Sequence, residues 1–575
     1  MGNRKNLRLP VIFVGALAGL ASAQAQTAHQ TQPQAENSAT MSPLTPLNQA
    51  IDRVIAREHD EMATFRRYNP IIETYIQDLK PDKEIGAVPV HDHYFLGQAS
   101  LAKGVIYTPM LAHKRGRLDQ LNPLSHLGGS LTSSYVPDGF LQMIYVDMNG
   151  FDRQHYQFDF VGREFLGDVS CVVLDVTPRP KSGNGRFKGR IWAEDQNLTI
   201  VRFNGVYTPV VQIKGLNLRF DSWRLNLEPG LWLPAFVFSQ ELDLKDFLGK
   251  QVRYKSQTRL WGYDLKSARH LEEFSDLTIE SPDAIEYQAG ALDQDRSPIE
   301  AEREWQHQAE TNILDRLQRT GLLAPPGEVD EVLETMVKNL EATNNLDVEP
   351  AVDCRVLLTA TLESFSIGHT IVLSRGLLDV LPDEATLAAM LADELANIIV
   401  TRASMDQWGF NDTTNVTTVE ARSHFTLRDN PDQEQVASQK AVDLLKNSPY
   451  KEKLGNAGRF LKQLDAESKS LRALINPRLG KRALLYTQLI NSAPQLQADK
   501  LDQIAALPIG TRIELDPWSD DVELTKAKPV PLLSAREAVP FEVASFIPYL
   551  TRYHKPAPFA DSAKADLVSQ KQQPQ

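Results

Sequence analysis

The chain has 575 residues, of which 42% are hydrophobic and 23% charged, and its formal net charge is −13. That length leaves room for roughly three to five domains with real cores, and the composition excludes a mainly disordered chain and a polytopic membrane protein. The acidic balance argues against a nucleic-acid binder, which needs basic surface. Two cysteines, Cys171 and Cys354, are too few for a disulfide scaffold or a Cys-based zinc ribbon. They lie far apart, so two separate buried thiols are expected rather than a bridge.

Arg4, Lys5 and Arg8 open the chain, Pro10 to Leu20 is apolar and small, and Ala21-Ser22-Ala23 follows. Ala23-Gln24-Ala25 is a second cleavage candidate. This is the layout of a secretory signal peptide over residues 1–23, with an apolar run too short to span a bilayer. Its removal takes away three positive charges and leaves −16. No cysteine follows for a lipid anchor, and no second span appears. Export to the periplasm or beyond as a soluble protein is expected.

Residues 24–45, rich in Gln, Thr, Ser and Pro, read as a disordered linker. Leu47, Ile51, Val54 and Ile55 at helical spacing predict a helical lead-in over 46–84. Short alternating runs, such as Cys171 to Val176 and Leu198 to Phe203, then predict about eight strands over 85–279. Residues 280–325 connect, with a helix from Glu300 to Leu317. Pro325-Pro326-Gly327 opens a mostly helical unit over 326–455 that contains one apolar β pair. A C-terminal region over 456–555 carries more helix and a hairpin, Thr511 to Leu515 with Val522 to Leu524. Phe541 and Glu542 are expected to pack back on the helical unit. Residues 556–575 read as a disordered tail. The fold class is α+β and multidomain, an antiparallel β half-barrel followed by a mostly helical domain.

Phosphate-binding loops, the G-x-S-x-G elbow and a dinucleotide fingerprint are all absent from the sequence. His91-Asp92-His93 is the densest histidine group, two imidazoles on one face of a strand. Asn197, Asn411 and Asn415 begin N-glycosylation sequons, relevant only in a eukaryotic secretory pathway. The informative stretch is Cys354 to Val400. A buried-type strand, Arg355 to Leu358, is followed by Glu363 to Gly368, which turns into a second strand, His369 to Ser374. Arg375-Gly376-Leu377-Leu378-Asp379 comes next, and then a helix bearing Asp393-Glu394-Leu395-Ala396-Asn397.

That order resembles the zinc metallopeptidase family of HtpX, BepA and the CAAX prenyl proteases, over about residues 328–450. The resemblance implies a gluzincin-like domain whose helix would carry H-E-x-x-H. It places Asp393 and Asn397 at the two histidine ligand positions, Glu394 at the general base, and Glu434 at the later glutamate ligand. It also implies that Gly368, His369, Thr370 and Ile371 lie on a strand that binds substrate along its edge. Asp and Asn in place of both imidazoles remove the nitrogen ligands, so zinc is expected to bind weakly or not at all. An all-oxygen set suits Ca²⁺ or Mg²⁺ better, with more ligands than these three. Without an ion, mutual repulsion among Asp393, Glu394 and Glu434 would raise at least one carboxyl. His369 and His424 are candidates to supply a nitrogen instead.

The strand-rich part, with Arg186 to Asp195 and Pro229 to Pro234, resembles the half-open barrel of the LolA-like lipoprotein-sorting proteins. That resemblance implies a sheet wrapped around a cavity for acyl chains. Three functions follow as expectations. The first is a zinc-site-degenerate peptidase, a pseudoenzyme that binds unfolded or envelope proteins in a chaperone-like role. The second is an active metalloendopeptidase with an altered metal site. The third is a lipid or lipoprotein carrier working through the β domain.

Overall fold

The computed structural model describes residues 46–102, 106–110, 140–208, 218–245, 251–263, 298–408, 431–483, 485–497, 499–510, 512–516, 520–524, 539–545 and 547–553. The expected signal peptide, the 24–45 linker, much of the connecting stretch, Asn411, Asn415, His424 and the 556–575 tail lie outside the described residues.

The first half is a helix and a large sheet. α1 (Pro46–Phe65) precedes β1 (Ile71–Asp82), β2 (Gly86–Ser100), β3 (Ile106–Pro109), β4 (Tyr156–Leu166) and β5 (Val169–Pro178). Then come β6 (Phe187–Glu194), β7 (Ile200–Tyr207), β8 (Phe220–Glu228), β9 (Leu231–Lys245) and β10 (Gln251–Trp261). All ten strands form one antiparallel sheet in the order β3-β2-β1-β10-β9-β8-β7-β6-β5-β4. The terminal strands β3 and β4 do not pair with each other, so the sheet is open.

The lead-in expected to be helical over 46–84 is helical only to Phe65. Pro70 removes a backbone donor, and the β-branched run that starts at Ile71 and Ile72 continues as β1. β1 sits inside the sheet between β2 and β10, and its first seven residues are all buried. A strand covered on both faces lacks the alternation that marks a half-exposed one. That is why its sequence reads ambiguously.

The second half is mostly helical. It contains α2 (Pro298–Arg319), α3 (Glu328–Thr343), β11 (Asp353–Leu357), β12 (Ser364–Ile367), β13 (Thr370–Ser374), α4 (Arg375–Val380) and α5 (Glu384–Trp408). α6 (Pro431–Lys446), α7 (Leu454–Glu467), α8 (Pro477–Ala483) and α9 (Thr487–Ser492) follow, and the hairpin β14 (Ile513–Leu515) and β15 (Val522–Leu524) forms as expected. Among the described residues no helix is long and apolar enough to cross a membrane.

Each face of the sheet is buried in a different core. Against one, α1 lays Ile51, Val54, Met62 and Phe65 at helical spacing, in one cluster with Ile72, Ile76 and Phe203. On the other, Ile71, Tyr75, Val173, Trp223 and Trp261 share a cluster with the helices of the second half. The alternation of β1 divides Ile71 and Tyr75 from Ile72 and Ile76, one pair to each core. Phe541 joins the second cluster between the two halves. Its ring meets Phe460 of α7 edge-on at 6.0 Å, and its carbonyl accepts from Gln77 of β1 at 2.7 Å. Cys171 and Cys354 are both buried and unbridged. Burial pushes the Cys171 thiol up to about 12, so it is unreactive at neutral pH.

α1 is held to the sheet by charge as well as by apolar contact. Glu58 and Arg224 of β8, both fully buried, make two hydrogen bonds of 2.7 Å. Glu61 lies one turn further on, 2.9 Å from Arg57. Burial pushes its carboxyl up to about 7, against the pull of Arg224 and Arg57. A carboxyl raised in the folded state supplies its stability below the unfolded value and loses it as pH rises through the folded one. Stability should therefore fall as pH rises from about 5 to about 8, and Glu61→Gln should remove that fall. At about pH 8 the variant should be more stable by ~1–3 kcal/mol, and near pH 5 equal to wild type, in urea unfolding. An unchanged pH slope in the variant would show that Glu61 is not the titrating group.

Candidate functional site

The small second sheet runs β11-β13-β12, with β11 parallel and β12 antiparallel to β13. Thr370 faces Asp353 on one side and Ile367 on the other, and Ile371 faces Cys354 and Ser366. Both edges of β13 are thus already bonded, and a segment joining this sheet would meet β11 or β12 instead. Gly368 turns the β12–β13 hairpin with a φ of +57°, a conformation that favours glycine. A Cβ there would lie 2.1 Å from Oε2 of Glu310 on α2, so that helix lies close against the turn. His369 is half-buried beside it.

Arg375-Gly376-Leu377-Leu378 opens α4. Arg375 is fully buried, and its Nη2 bonds Glu73 of β1 at 2.6 Å while its Nε donates to Leu358 O at 2.9 Å. Gly376 is required by proximity, since a Cβ would lie 1.9 Å from the Ala360 carbonyl oxygen. The block that marks the peptidase resemblance therefore docks the helical half onto the large sheet.

α5 is apolar on nearly every side, with Ala388, Met390, Leu391, Leu395 and Ala396 all buried. Asp393 and Asn397 lie four residues apart on it, Asp393 buried and Asn397 half-buried. Glu394 is 1% exposed. Arg482, at the end of α8, reaches both acids. Its Nη2 pairs with Asp393 Oδ2, and its Nη1 lies 2.6 Å from Glu394 Oε1. The Tyr486 hydroxyl donates to Asp393 Oδ1, and the Ser364 hydroxyl of β12 donates to Glu394 Oε1 at 2.6 Å. Burial pushes the Arg482 guanidinium down to about 10, so it keeps its charge at neutral pH. The repulsion expected between Asp393 and Glu394 is met by this internal cation.

Glu434 stands half-buried at the start of α6, which packs along α5. Among the described residues, no three His, Cys, Asp or Glu side chains gather closely enough to hold an ion. The donor set does not fit zinc. The Asp393 oxygens already take Arg482 and Tyr486, and an added cation would lie against a fixed positive charge. Sequence reasoning missed Arg482 and Tyr486. The available signal was a lone arginine in the run Arg482-Ala483-Leu484-Leu485-Tyr486, where a charge on an apolar stretch needs a buried partner.

The histidine group on β2 has a structural neighbour instead of a ligand set. His93 Nε2 lies 3.3 Å from Asp78, and His91 is exposed. Asp92 turns to the opposite face and accepts from the backbone of Ala473 at 3.0 Å and Leu474 at 2.7 Å. Burial nevertheless raises its carboxyl above the ordinary range.

No family model matches the chain, and no curated protein matches it. Solved structures match over part of its length. A putative outer membrane lipoprotein-sorting protein domain from Vibrio parahaemolyticus is 13% identical with a TM-score of 0.20, covering 36% of this chain and 91% of its own. A DUF1329 family protein from Desulfovibrio piger is 10% identical with a TM-score of 0.18, covering 39% and 95%. The MucA/MucB complex of Pseudomonas aeruginosa gives 11% identity and a TM-score of 0.14, covering 38% and 95%.

Removing the guanidinium should leave two acids buried without their cation. Arg482→Met should lower stability by ~3–5 kcal/mol at neutral pH in chemical unfolding. Adding Asp393→Asn and Glu394→Gln to it should restore most of that loss. If Arg482→Met alone is neutral, the ion pairs do not hold the slot.

Proposed function

We propose that this chain is a binding protein of the bacterial envelope that does not hydrolyse peptides, with its open ten-stranded sheet as the working element. The observation that supports this reading is Arg482. Its guanidinium lies on Asp393 and Glu394, at the place where the peptidase resemblance would put an ion and its activated water. Glu394 accepts from Ser364 and Arg482, so it is held as a structural acceptor and not aimed at a substrate water. Zinc is neither needed nor well accommodated. The basic and apolar leader read over 1–23 supports a role outside the cytoplasm, with unfolded or envelope proteins as partners. Purified full-length chain should leave casein intact, with or without added zinc. Cleavage that a chelator stops and that Glu394→Gln abolishes would overturn the reading in favour of an altered active site.

A second reading, carriage of an acyl chain or a lipoprotein, has its own supporting observation. The sheet face beneath α1 is apolar and aromatic, with Ile72, Phe187, Phe203 and Phe220 in one core. A chain could enter only if α1 left that face and broke the Glu58–Arg224 pair. Mass spectrometry of gently purified protein should then find acyl chains, more of them in Glu58→Gln than in wild type. Neither form carrying any would remove this reading.

A further inference from the structure

The ten-stranded sheet ends on a strand that pairs on one side only. β4 bonds β5, and among the described residues no backbone bond joins its outer edge between Gln157 and Leu166 to anything else. The register with β5 shifts between Phe160 and Gly162, so Val161 is an extra residue that bends the edge. Cross-strand partners sort the side chains by face. Phe158 stands opposite Val176, Phe160 opposite Leu174 and Phe165 opposite Ser170, on the face that α1 covers further in. Asp159 stands opposite Asp175 and Glu164 opposite Cys171, on the other face. Phe165 is 75% exposed and Phe160 51%. A long open edge with aromatic side chains in water is a template for another strand, and folded proteins ordinarily blunt one.

We propose that this edge takes up an extended segment of a partner protein as an added strand, one that alternates apolar and basic residues. An open ladder selects an extended chain, because its N–H and C=O groups are met by backbone laid beside them. The two faces select the side chains. Phe158, Phe160 and Phe165 offer apolar surface on one, and the exposed carboxylates of Asp159 and Glu164 offer charge on the other. Those two acids are bonded by neutral donors, the Gln157 amide at 3.2 Å and the Trp192 ring N–H at 2.7 Å, so their charge is not cancelled. Arg190 of β6 is committed to Asp175 in a fork, at 2.7 and 3.2 Å. It also lies two strands inward, about 10 Å from β4, whereas an added strand would lie about 5 Å outside it. Arg163 is the strand's own cation and belongs to the opposite face, across from Val172. An antiparallel second copy of β4 would continue the acidic face with the same acids, and like charges side by side oppose that pairing.

The proposal rests on the binding reading for the existence of a partner, but on different residues. The test is fluorescence anisotropy of a labelled short peptide alternating Val and Lys, added to the full chain. A peptide of the same composition with its Val and Lys in separate blocks is the comparison. The alternating peptide should bind about tenfold or more tightly than the block peptide, and it should slow hydrogen exchange at the amides of β4. Asp159→Lys and Phe165→Lys should each weaken binding by about tenfold at unchanged thermal stability, because both side chains are exposed. Glu452→Lys, an exposed acid on the helical half, should not. Absence of binding by wild type, equal binding of the block peptide, or equal loss in Glu452→Lys would overturn the edge. So would dimers that Phe165→Lys abolishes in a chain that ignores the peptide, since the edge would then belong to a second copy. A chain that cleaves casein yet binds the peptide would sink the non-hydrolytic reading and leave the edge standing. One that neither cleaves nor binds would keep that reading and lose the edge.

Discussion

Glu73 on β1 holds its carboxylate against three donors that come from both halves of the chain. Arg375 Nη2 lies at 2.6 Å, Ala360 N at 2.5 Å and the Tyr94 hydroxyl at 2.8 Å. Glu73 is 2% exposed and Arg375 fully buried. Two charges so placed cost several kcal/mol each to desolvate, and only complete bonding offsets that. The pair is therefore weak evidence of stability. It does fix register, since a sheet shifted by one residue would turn Glu73 into the opposite core, where Arg375 does not reach. The helical half has one place to sit, and β1 defines it.

The same device recurs at other points of the junction. Asp92 of β2 accepts from the backbone of Ala473 and Leu474, and Asp379 of α4 accepts from Arg512 at 2.7 Å and Ile513 at 3.1 Å. Buried or half-buried carboxylates thus take up orphaned backbone N–H groups of loops that would otherwise lack partners. Asp393 and Glu394 are also buried acids at a joint, but side chains meet them instead. Their cation, Arg482, comes from a segment about ninety residues further along the chain, and it closes α5 against α8 much as Arg375 closes α4 against β1. A helix whose sequence order suggests catalysis is, in packing terms, one more buried charge joint.

Local pattern carried much of this into the sequence. The alternating strands, the 298–319 helix, the C-terminal hairpin and the strand-turn-strand order before α5 are all set by short-range periodicity and turn residues, and they are legible there. β1 was not, because burial on both faces erased the alternation that distinguishes a strand. The spacing of Asp393, Glu394 and Asn397 on one helix was legible. Their partners were not, because Arg482 and Tyr486 meet them only through the tertiary fold, and no periodicity in one segment encodes a contact with another. Arg375-Gly376 was visible as a motif, but its role as the plug for Glu73 depends on a residue some three hundred positions earlier.

Charge balance describes both surfaces alike. In the α5 slot one guanidinium and two hydroxyls meet the two buried acids, so both are bonded within the protein. On β5 to β8 of the sheet the charges are matched as well. Arg190 and Arg202 pair with Asp175 and Asp221, and Glu241 accepts from the backbone N–H of Arg219 at 2.8 Å. A solvated cation is cheap to leave unpaired, so exposure alone accounts for Lys188. The Trp192–Arg202–Trp223 stack ties β6, β7 and β8 together on this face. Both halves thus meet these charges from within, the helical half by burial and the sheet at its surface.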